Sequence, residues 1–425
     1  MRRGEATLDV SAIQRRTLAV VITAQVFGGA GLAAGVTVGG LIAEDMLGSE
    51  GVAGLPSAVF TLGSAIAAFS IGRYSARAGR RLGLAGGFLA GAIGAVGIIA
   101  ATLLESPVLF FASLLVYGSG TATNLQARYA GTDLAGPATR ATAAAAAMIA
   151  TTAGAVAGPN LVTPLGDLAD ALGIPRLAGP FLLAAVAYGA AGLFLFAFLR
   201  PDPLLVARGL ERAAETEPDA DAGTGRARRV PPGVVVGASV MVLTQTTMVA
   251  IMTMTPIHMR HHHHGLSAVG LVISLHIAAM YLPSLLTGRL VDRVGRLPMS
   301  IAAGVTLLAA GITAAAAPAT STGWLIVALM LLGLGWNFGL IAGTAMIVDS
   351  TTLRTRARTQ GTVDVLIALA GSAGGALSGL VVHATSFHAL ALGGGLLALI
   401  LVPVAAWHAS TSRDGRDDPV PTSTR

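Results

Sequence analysis

Residues 288–296 read GRLVDRVGR, and residues 72–80 read GRYSARAGR. Both stretches have the same two glycines and the same three arginines at matching positions, 216 residues apart. The same offset relates three further pairs: Asp133 and Asp349, Arg140 and Arg356, Gly158 and Gly374. One offset that holds in separate segments indicates an internal duplication of the chain, with its two copies arranged as parallel repeats.

The composition of the chain excludes a soluble protein. Of 425 residues, 54% are hydrophobic and 11% are charged, whereas soluble domains have about 25% charged residues. The mean hydropathy of +0.73 also excludes a disordered chain. Because the sequence has no cysteine, disulfides and thiolate metal sites are excluded as well. These values are typical of a polytopic membrane protein.

Apolar stretches of about 20 residues are long enough to cross a membrane as helices. Twelve such spans are predicted, six on each side of a polar segment. They occupy residues 18–43, 51–72, 82–103, 107–130, 141–164, 178–199, 233–256, 266–288, 298–317, 323–348, 361–383 and 388–408. The sequence therefore predicts an all-α integral membrane protein.

The arginines predict the orientation of these spans. All 27 basic residues are arginines, and all but Arg176 and Arg260 fall in segments on one side of the membrane. Positive residues concentrate on the cytoplasmic side, so both termini are expected in the cytoplasm of a multi-pass protein of the cell membrane. The net charge of +6 is then a topology signal, and no nucleic-acid partner is expected.

The predicted organisation has five parts. They are a cytoplasmic N-terminal tail (1–16), a six-helix bundle (17–199), a partly disordered cytoplasmic linker (200–232), a second six-helix bundle (233–408) and a cytoplasmic C-terminal tail (409–425).

The stretch 288–296 lies between spans eight and nine and resembles motif A of the major facilitator superfamily (MFS). Its counterpart from Gly72 to Arg81 keeps the glycines and arginines but has Ala76 where the motif has a carboxylate. Residues 154–160, GAVAGPN, resemble the start of motif C of proton-coupled drug exporters and lack its trailing glycines. The resemblance implies the MFS fold of two six-helix bundles, with a substrate site between them near the midplane.

The resemblance also implies a gate on the cytoplasmic side. Asp292 is expected to face the start of span five and Arg140, and Asp133 and Asp349 are expected to share the latching. The alternative is that these are topology and turn residues only. The residues concerned are Gly72, Arg77, Gly79, Arg80, Gly288, Asp292, Arg293, Gly295 and Arg296 for the gating motif, Asp133, Arg140, Asp349 and Arg356 for the latch, and Gly154, Gly158 and Pro159 for motif C.

Ionisable residues within spans are costly and therefore suggest function. His276 and Asp364 are the proton-coupling candidates. His276 has the alternative of a core histidine bonded to a backbone carbonyl. Asp364 has the alternatives of an ion pair with Arg356 or Arg358 and of a helix cap. Arg128 is expected to extend to the membrane interface.

Helices one, four, seven and ten line the cavity in MFS proteins, so their polar residues are candidates for substrate binding. The predicted cavity residues are Gln25, Asn124, Gln126, Gln245, Trp336 and Asn337 on these helices, together with His276 in the middle of span eight. Many proton-coupled drug exporters keep a carboxylate in the middle of helix one or four. Its absence here argues against polycations and leaves neutral, anionic or lipophilic substrates.

Most of the histidines are predicted to lie at one outer face of the second bundle. They are His258, His261, His262, His263, His264, His383 and His388. Imidazoles bind transition metals and titrate near neutral pH, so a metal-binding or pH-sensing role is one hypothesis. The alternative is a polar loop with incidental metal affinity.

The predicted function is secondary active transport by alternating access, with proton-coupled efflux of small organic compounds as the leading hypothesis. The alternatives are proton-coupled uptake of a metabolite or metal-linked solute and a non-transporting sensor. The spans contain no converging cluster of acids and histidines, so an enzyme is not expected, and no P-loop is present. The expected partners are a small-molecule substrate, protons and the lipid bilayer, for a monomer without a resident cofactor.

Overall fold

The computed structural model describes residues 9–47, 55–214, 230–318, 320–401 and 403. Most of the predicted tails and the middle of the linker lie outside the described residues. All described α-helices, in chain order, are α1 (Val10–Leu47), α2 (Leu55–Ala78), α3 (Arg80–Leu103), α4 (Pro107–Ala130), α5 (Arg140–Asn160), α6 (Val162–Ala171), α7 (Gly179–Phe198), α8 (Pro203–Ala214), α9 (Pro232–His261), α10 (Leu266–Tyr281), α11 (Ser284–Val294), α12 (Arg296–Ala316), α13 (Thr322–Asp349), α14 (Arg356–Ala384) and α15 (Phe387–Ala398).

The twelve predicted spans correspond to these helices with two interruptions. Span five is divided into α5 and α6, and span eight into α10 and α11. Pro283 precedes α11, where its missing N–H removes a donor that would continue the helix. By length and composition, eight helical segments of the described residues are able to cross a membrane. The helices form two bundles, α1–α7 and α9–α15, as the sequence predicts.

The duplication is visible in the helix boundaries. The ends of α2 and α11 and the starts of α3 and α12 are each 216 residues apart. Gly79 and Gly295 form the matching breaks, with φ of 93° and 108°. A side chain is strained at such φ values, so both copies of the loop require glycine here. Each copy thus makes the same turn between two helices.

The hydrophobic core is divided between the two bundles, with α5 and α14 as the helices that pack across. Ala141, Ala145 and Met148 of α5 belong to the core of the second bundle. Val365 of α14 packs against the core of the first bundle. Because α5 and α14 are equivalent helices of the two repeats, the bundles contact each other in a symmetric manner.

The described part of the linker is ordered. Helix α8 buries Leu204 and Ala207, and Asp202 precedes it. The carboxylate of Asp202 accepts hydrogen bonds from the backbone N–H of Leu204 (3.0 Å) and, in the first bundle, of Arg81 (2.7 Å). Residues 203–214 of the predicted linker therefore form a docked amphipathic helix, and residues 215–229 lie outside the described residues, so partial disorder of the linker stays a prediction.

Candidate functional site

The charged loops of both repeats meet at one end of the molecule. We call this the arginine-rich end, defined by residues 73–81, 128–140, 289–296 and 349–358. In the second repeat, Asp349 accepts hydrogen bonds from Arg296 Nε (2.9 Å) and Arg140 Nη1 (2.6 Å). Arg296 belongs to the same bundle as Asp349, and Arg140 belongs to the other. This half-exposed cluster therefore ties the two bundles together.

The first repeat has the equivalent cluster in a buried form. Asp133 accepts a hydrogen bond from Arg80 Nε at 2.8 Å, and Arg356 Nη1 of the other bundle lies 3.9 Å from it. Arg80 also donates to Gln360 Oε1 of the other bundle at 2.5 Å. Each aspartate thus contacts one arginine of its own bundle and one of the partner bundle. All four predicted latch residues are in cross-bundle ion pairs.

Asp292 binds the start of α5. Its carboxylate accepts from the backbone N–H of Ala141 (3.1 Å) and Thr142 (2.9 Å) and from the Thr142 hydroxyl (2.7 Å). The first N–H groups of a helix have no partner within the helix, and the helix dipole attracts an anion there. Arg140, the other expected partner of Asp292, binds Asp349 instead.

The first repeat has no acid at Ala76, and the linker helix occupies that place. Arg208 of α8 donates to the Ala76 carbonyl at 2.8 Å and, in the other bundle, to the Leu353 carbonyl at 3.1 Å. One guanidinium therefore bridges the two bundles at the site where the motif has a carboxylate.

The glycines that begin the two loops permit close contact between bundles. A Cβ on Gly72 would lie 2.7 Å from Gly361 Cα of α14, and a Cβ on Gly288 would lie 2.8 Å from Thr142 Cα of α5. Such distances are shorter than carbon atoms tolerate, so only glycine fits. The remaining arginines of the motif, Arg77 and Arg293, are exposed.

A buried ion pair joins α4 and α14. Arg128 Nη2 lies 2.8 Å from Asp364 Oδ1, and the side chains are 0% and 1% exposed. The Tyr129 hydroxyl lies 3.3 Å from the same oxygen, and Arg128 Nε donates to Thr344 Oγ1 at 3.1 Å. The Asp364 Oδ2 atom is buried without a hydrogen-bond partner among the described residues.

This pair corrects two predictions. Arg128 does not extend to the membrane interface, because α14 covers it. Asp364 pairs with neither Arg356 nor Arg358, since the nearest guanidinium comes from the other bundle. Asp364 is also too far along α14 to cap it, because the helix begins at Arg356.

The predicted cavity residues form two polar pairs, one in each bundle. Gln25 Nε2 of α1 donates to the Asn124 carbonyl of α4 at 3.0 Å and to Thr151 Oγ1 of α5 at 3.3 Å. Trp336 Nε1 of α13 donates to Gln245 Oε1 of α9 at 2.7 Å. Gln25 Oε1 and Asn124 Nδ2 are buried and have no partner among the described residues.

Three other predicted cavity residues are fully buried between helices in this structure. Gln126 donates to the Ala68 carbonyl, Asn337 donates to Met280 and Ser284 of the neighbouring segment, and His276 Nδ1 bonds the Leu329 carbonyl at 2.7 Å. These three side chains bond neighbouring helices in this arrangement, and their place in a substrate cavity stays a prediction. His276 matches its alternative, a core histidine bonded to a backbone carbonyl, and it loses support as a proton carrier.

The outer histidines form a contact group without a metal-site arrangement. The ring of His258 lies 4.4 Å from that of His262 and 5.7 Å from that of His388, and it stacks on Phe387. His261, His263 and His383 are exposed, and His264 contacts Thr322. Within the described ranges, no three His, Asp or Glu side chains are arranged to hold a metal ion. The predicted metal site is therefore wrong for this part of the chain.

The motif C segment lies at the contact of α5 with α1. A Cβ on Gly154 would lie 2.0 Å from the Ala30 backbone nitrogen, so the two helices pack backbone against backbone. Gly158 and Pro159 fall within α5, but their side-chain surroundings lie outside the described residues.

Several contact residues are missing from the sequence prediction. Gln360 lies one turn before Asp364 on the same face of α14, a spacing that the sequence displays. Tyr129 follows Arg128 directly. Thr344, Thr151 and Arg208 carry no sequence signal, because their roles depend on which helix faces meet.

Comparison with known proteins agrees with this architecture. Residues 235–424 match the model of the Major Facilitator Superfamily. The chain is 62% identical over 397 residues to the MFS-type transporter YdeG of Bacillus subtilis, covering 93% of this chain and 92% of YdeG. It is 30% identical over 399 residues to the riboflavin transporter RfnT of Brucella anthropi, covering 92% and 95%.

Solved structures show the same fold at low sequence identity. The human organic anion transporter MFSD10 superposes with a TM-score of 0.72 at 16% identity, covering 92% of this chain and 99% of that one. The proton:xylose symporter XylE superposes with a TM-score of 0.70 at 15% identity, covering 94% and 96%. With its two bundles, duplicated loops and near full-length relatives, the chain belongs to the major facilitator superfamily of multi-pass membrane transporters and is not an enzyme.

Proposed function

We propose that the chain exports small organic compounds from the cytoplasm by proton-coupled alternating access. The observation that carries the proposal is the buried Arg128–Asp364 pair, which joins the two bundles at 2.8 Å. Alternating access requires the bundles to separate at one end and then at the other. Separation at the arginine-rich end must break this pair.

Protonation of Asp364 supplies a way to break the pair. Leaving one member of a buried ion pair without its partner costs about 3–5 kcal/mol. A proton on Asp364 removes the charge of the acid and weakens its attraction to Arg128, while the Tyr129 hydroxyl of the same bundle still accepts a hydrogen bond from the guanidinium. The proton-loaded protein therefore opens at the arginine-rich end, and loss of the proton favours closure.

The remaining latch contacts act with this pair. The Asp133 and Asp349 clusters and the Asp292 contact all cross between the bundles, so all must release when this end opens. The distribution of arginines supports a cytoplasmic location for this end. The closed arrangement then faces the outside, and proton entry from that side drives the return.

The two polar pairs support an uncharged or anionic aromatic substrate. Gln25 and Asn124 have buried polar atoms without partners, which a substrate can satisfy by hydrogen bonding. The ring centroids of Trp336 and Tyr281 are 5.8 Å apart in an edge-to-face arrangement, and an aromatic pair of this kind suits a flat ligand. The motif C resemblance at Gly154 favours efflux.

Uptake of a flat heteroaromatic metabolite is the second candidate. The observation that favours it is the 30% identity to the riboflavin transporter RfnT over nearly the whole of both chains. Both candidates use the same coupling pair, and they differ in the direction of net transport.

Proton flux in proteoliposomes tests the proposal. Riboflavin and a panel of lipophilic aromatic dyes are added to oriented vesicles containing an internal pH dye. A coupled substrate is expected to move protons, and the sign of its gradient-driven flux separates efflux from uptake. Asp364→Asn is expected to abolish gradient-driven accumulation, because no proton can then leave this residue to favour closure.

Asp167→Asn is the matched control, because Asp167 is an exposed acid paired with Arg176. Normal gradient-driven accumulation by Asp364→Asn would contradict coupling through this residue. Absence of flux with every compound would favour a non-transporting sensor.

A further inference from the structure

A groove runs along the outside of the first bundle near the arginine-rich end. Its volume is about 500 Å³, and it lies between α2 and α3. Gly83, Gly86 and Gly87 of α3 line one side, and Arg73, Tyr74 and Arg77 of α2 line the other. A Cβ on Gly86 would meet no atom within 4 Å, so the groove is open at this point.

The groove opens towards lipid. Neighbouring apolar residues on the same two helices are exposed, among them Ile66 at 49% and Ile93 at 69%. Exposed apolar surface on the outside of a membrane bundle contacts acyl chains. The opposite face of α2 carries Gly72 and packs against α14. The groove is therefore separate from the contact between the bundles.

The polar end of the groove carries uncompensated positive charge. Arg73 stacks on Phe69, with Cζ 3.3 Å from the ring centroid, and its Nη1 is buried without a hydrogen-bond partner among the described residues. Within the same part of the chain, neither Arg73 nor Arg77 forms an ion pair with a carboxylate. A buried donor without a partner costs about 1–3 kcal/mol, which an anion at this position removes.

The second repeat keeps the arginines but has larger residues at the positions of the three glycines. Arg289 and Arg293 correspond to Arg73 and Arg77, whereas Met299 stands in the place of Gly83 and is buried. Ala302 and Ala303 replace the other two glycines. The duplication therefore provides an internal comparison, because both repeats have the arginines and only the first has the glycine-lined groove.

We propose that this groove binds an anionic phospholipid of the surrounding leaflet. One acyl chain lies against the glycines of α3, and the headgroup phosphate accepts hydrogen bonds from Arg73 and Arg77. Basic residues at a membrane surface attract anionic lipids by about 1 kcal/mol each. The glycines add a site for the acyl chain, which distinguishes this groove from a membrane surface that has positive charge alone.

Native mass spectrometry of the full chain in detergent tests this site. The probes are phosphatidylglycerol and phosphatidylcholine with identical acyl chains. The native chain is expected to retain one phosphatidylglycerol in preference to phosphatidylcholine. Arg73→Gln with Arg77→Gln is expected to weaken phosphatidylglycerol binding by about 30-fold, whereas Arg289→Gln with Arg293→Gln leaves it unchanged.

A second variant tests the acyl-chain contact without changing charge. Gly86→Leu fills the open groove and is expected to weaken binding, whereas Gly393→Leu, at another glycine whose Cβ meets no atom, leaves it unchanged. Equal retention of the two lipids by the native chain would overturn the proposal. Unchanged binding in Gly86→Leu would also overturn it. Displacement of the lipid by equimolar inorganic phosphate would do the same, since the acyl chain then contributes nothing to binding.

Discussion

The two copies of the duplicated loop hold the bundles together by different contacts. In the second repeat, Asp292 accepts three hydrogen bonds from the first turn of α5. In the first repeat, Ala76 offers only its carbonyl oxygen, and Arg208 of the linker helix bridges it to Leu353. The same position of the duplicated motif is thus occupied once by an acid of the loop and once by an arginine of the linker helix.

The difference predicts unequal strengths for the two contacts. Both contacts are charge-assisted, since each contains one ionised group, but Asp292 accepts three hydrogen bonds and also faces a helix N-terminus. Arg208 of α8 forms only two hydrogen bonds. The buried Arg80–Asp133 pair and Gln360 lie beside the weaker contact, which supports the first repeat where its acid is missing.

Spin labels can be attached at chosen positions of the arginine-rich end, because the sequence has no native cysteine that would also react. Ala138 and Arg354 are exposed, equivalent positions in the two bundles. Cysteines placed there report the distance between the bundles at the arginine-rich end by electron–electron double resonance.

The largest effect in this comparison is expected for Asp292→Asn. The variant removes the charge that binds the start of α5, and loss of about 3 kcal/mol of charge-assisted bonding shifts the equilibrium about 100-fold towards separation of the labels. Asp170→Asn, an exposed acid of the first bundle, serves as the control. A label distance unchanged from the native chain would show that Asp292 does not latch the bundles.

A smaller effect is expected for Arg208→Gln. It removes two hydrogen bonds of a partly exposed arginine, whose interactions water weakens, so the shift towards longer label distances is about fivefold to tenfold, corresponding to about 1–1.4 kcal/mol. Arg212→Gln on the exposed face of the same helix should leave the distance distribution as it is. A shift of the same size in both variants would argue that helix α8, and not the Arg208 bridge, supports the gate.

The smallest effect is expected for Ala76→Asp, which restores an acid to the first loop. Beside an intact Arg208 it should change the distances by no more than a few-fold. In the Arg208→Gln background, the new acid is expected to recover part of the closed population by binding the start of α14. Ala78→Asp, two residues along the same helix, is the control, and equal recovery by both would exclude a specific contact at position 76.

The apolar runs, the positions of the arginines and the offset of the repeat predict most of the fold. A bilayer requires helices of a certain length, so their number and order can be read from hydropathy. Asp292 at the start of span five follows from the family resemblance. The division of spans five and eight and the docking of α8 depend on local packing, which hydropathy does not report.

The buried Arg128–Asp364 pair shows where sequence reasoning ends. Arg128 and Asp364 are each visible as rare charges within spans, but nothing in their spacing says that α4 meets α14. His276 illustrates the reverse case, since a rare polar residue near mid-span bonds a backbone carbonyl of its own bundle. Only the faces that helices present to each other separate these two outcomes.

The central claim is that the proton on Asp364 controls separation of the bundles at the arginine-rich end. The most direct test is the distance between labels at Ala138 and Arg354, measured against pH in the native chain and in Asp364→Asn. The account predicts that acidification lengthens the distance in the native chain and that Asp364→Asn shows the long distance at every pH. A native pH response that persists unchanged in Asp364→Asn would contradict it.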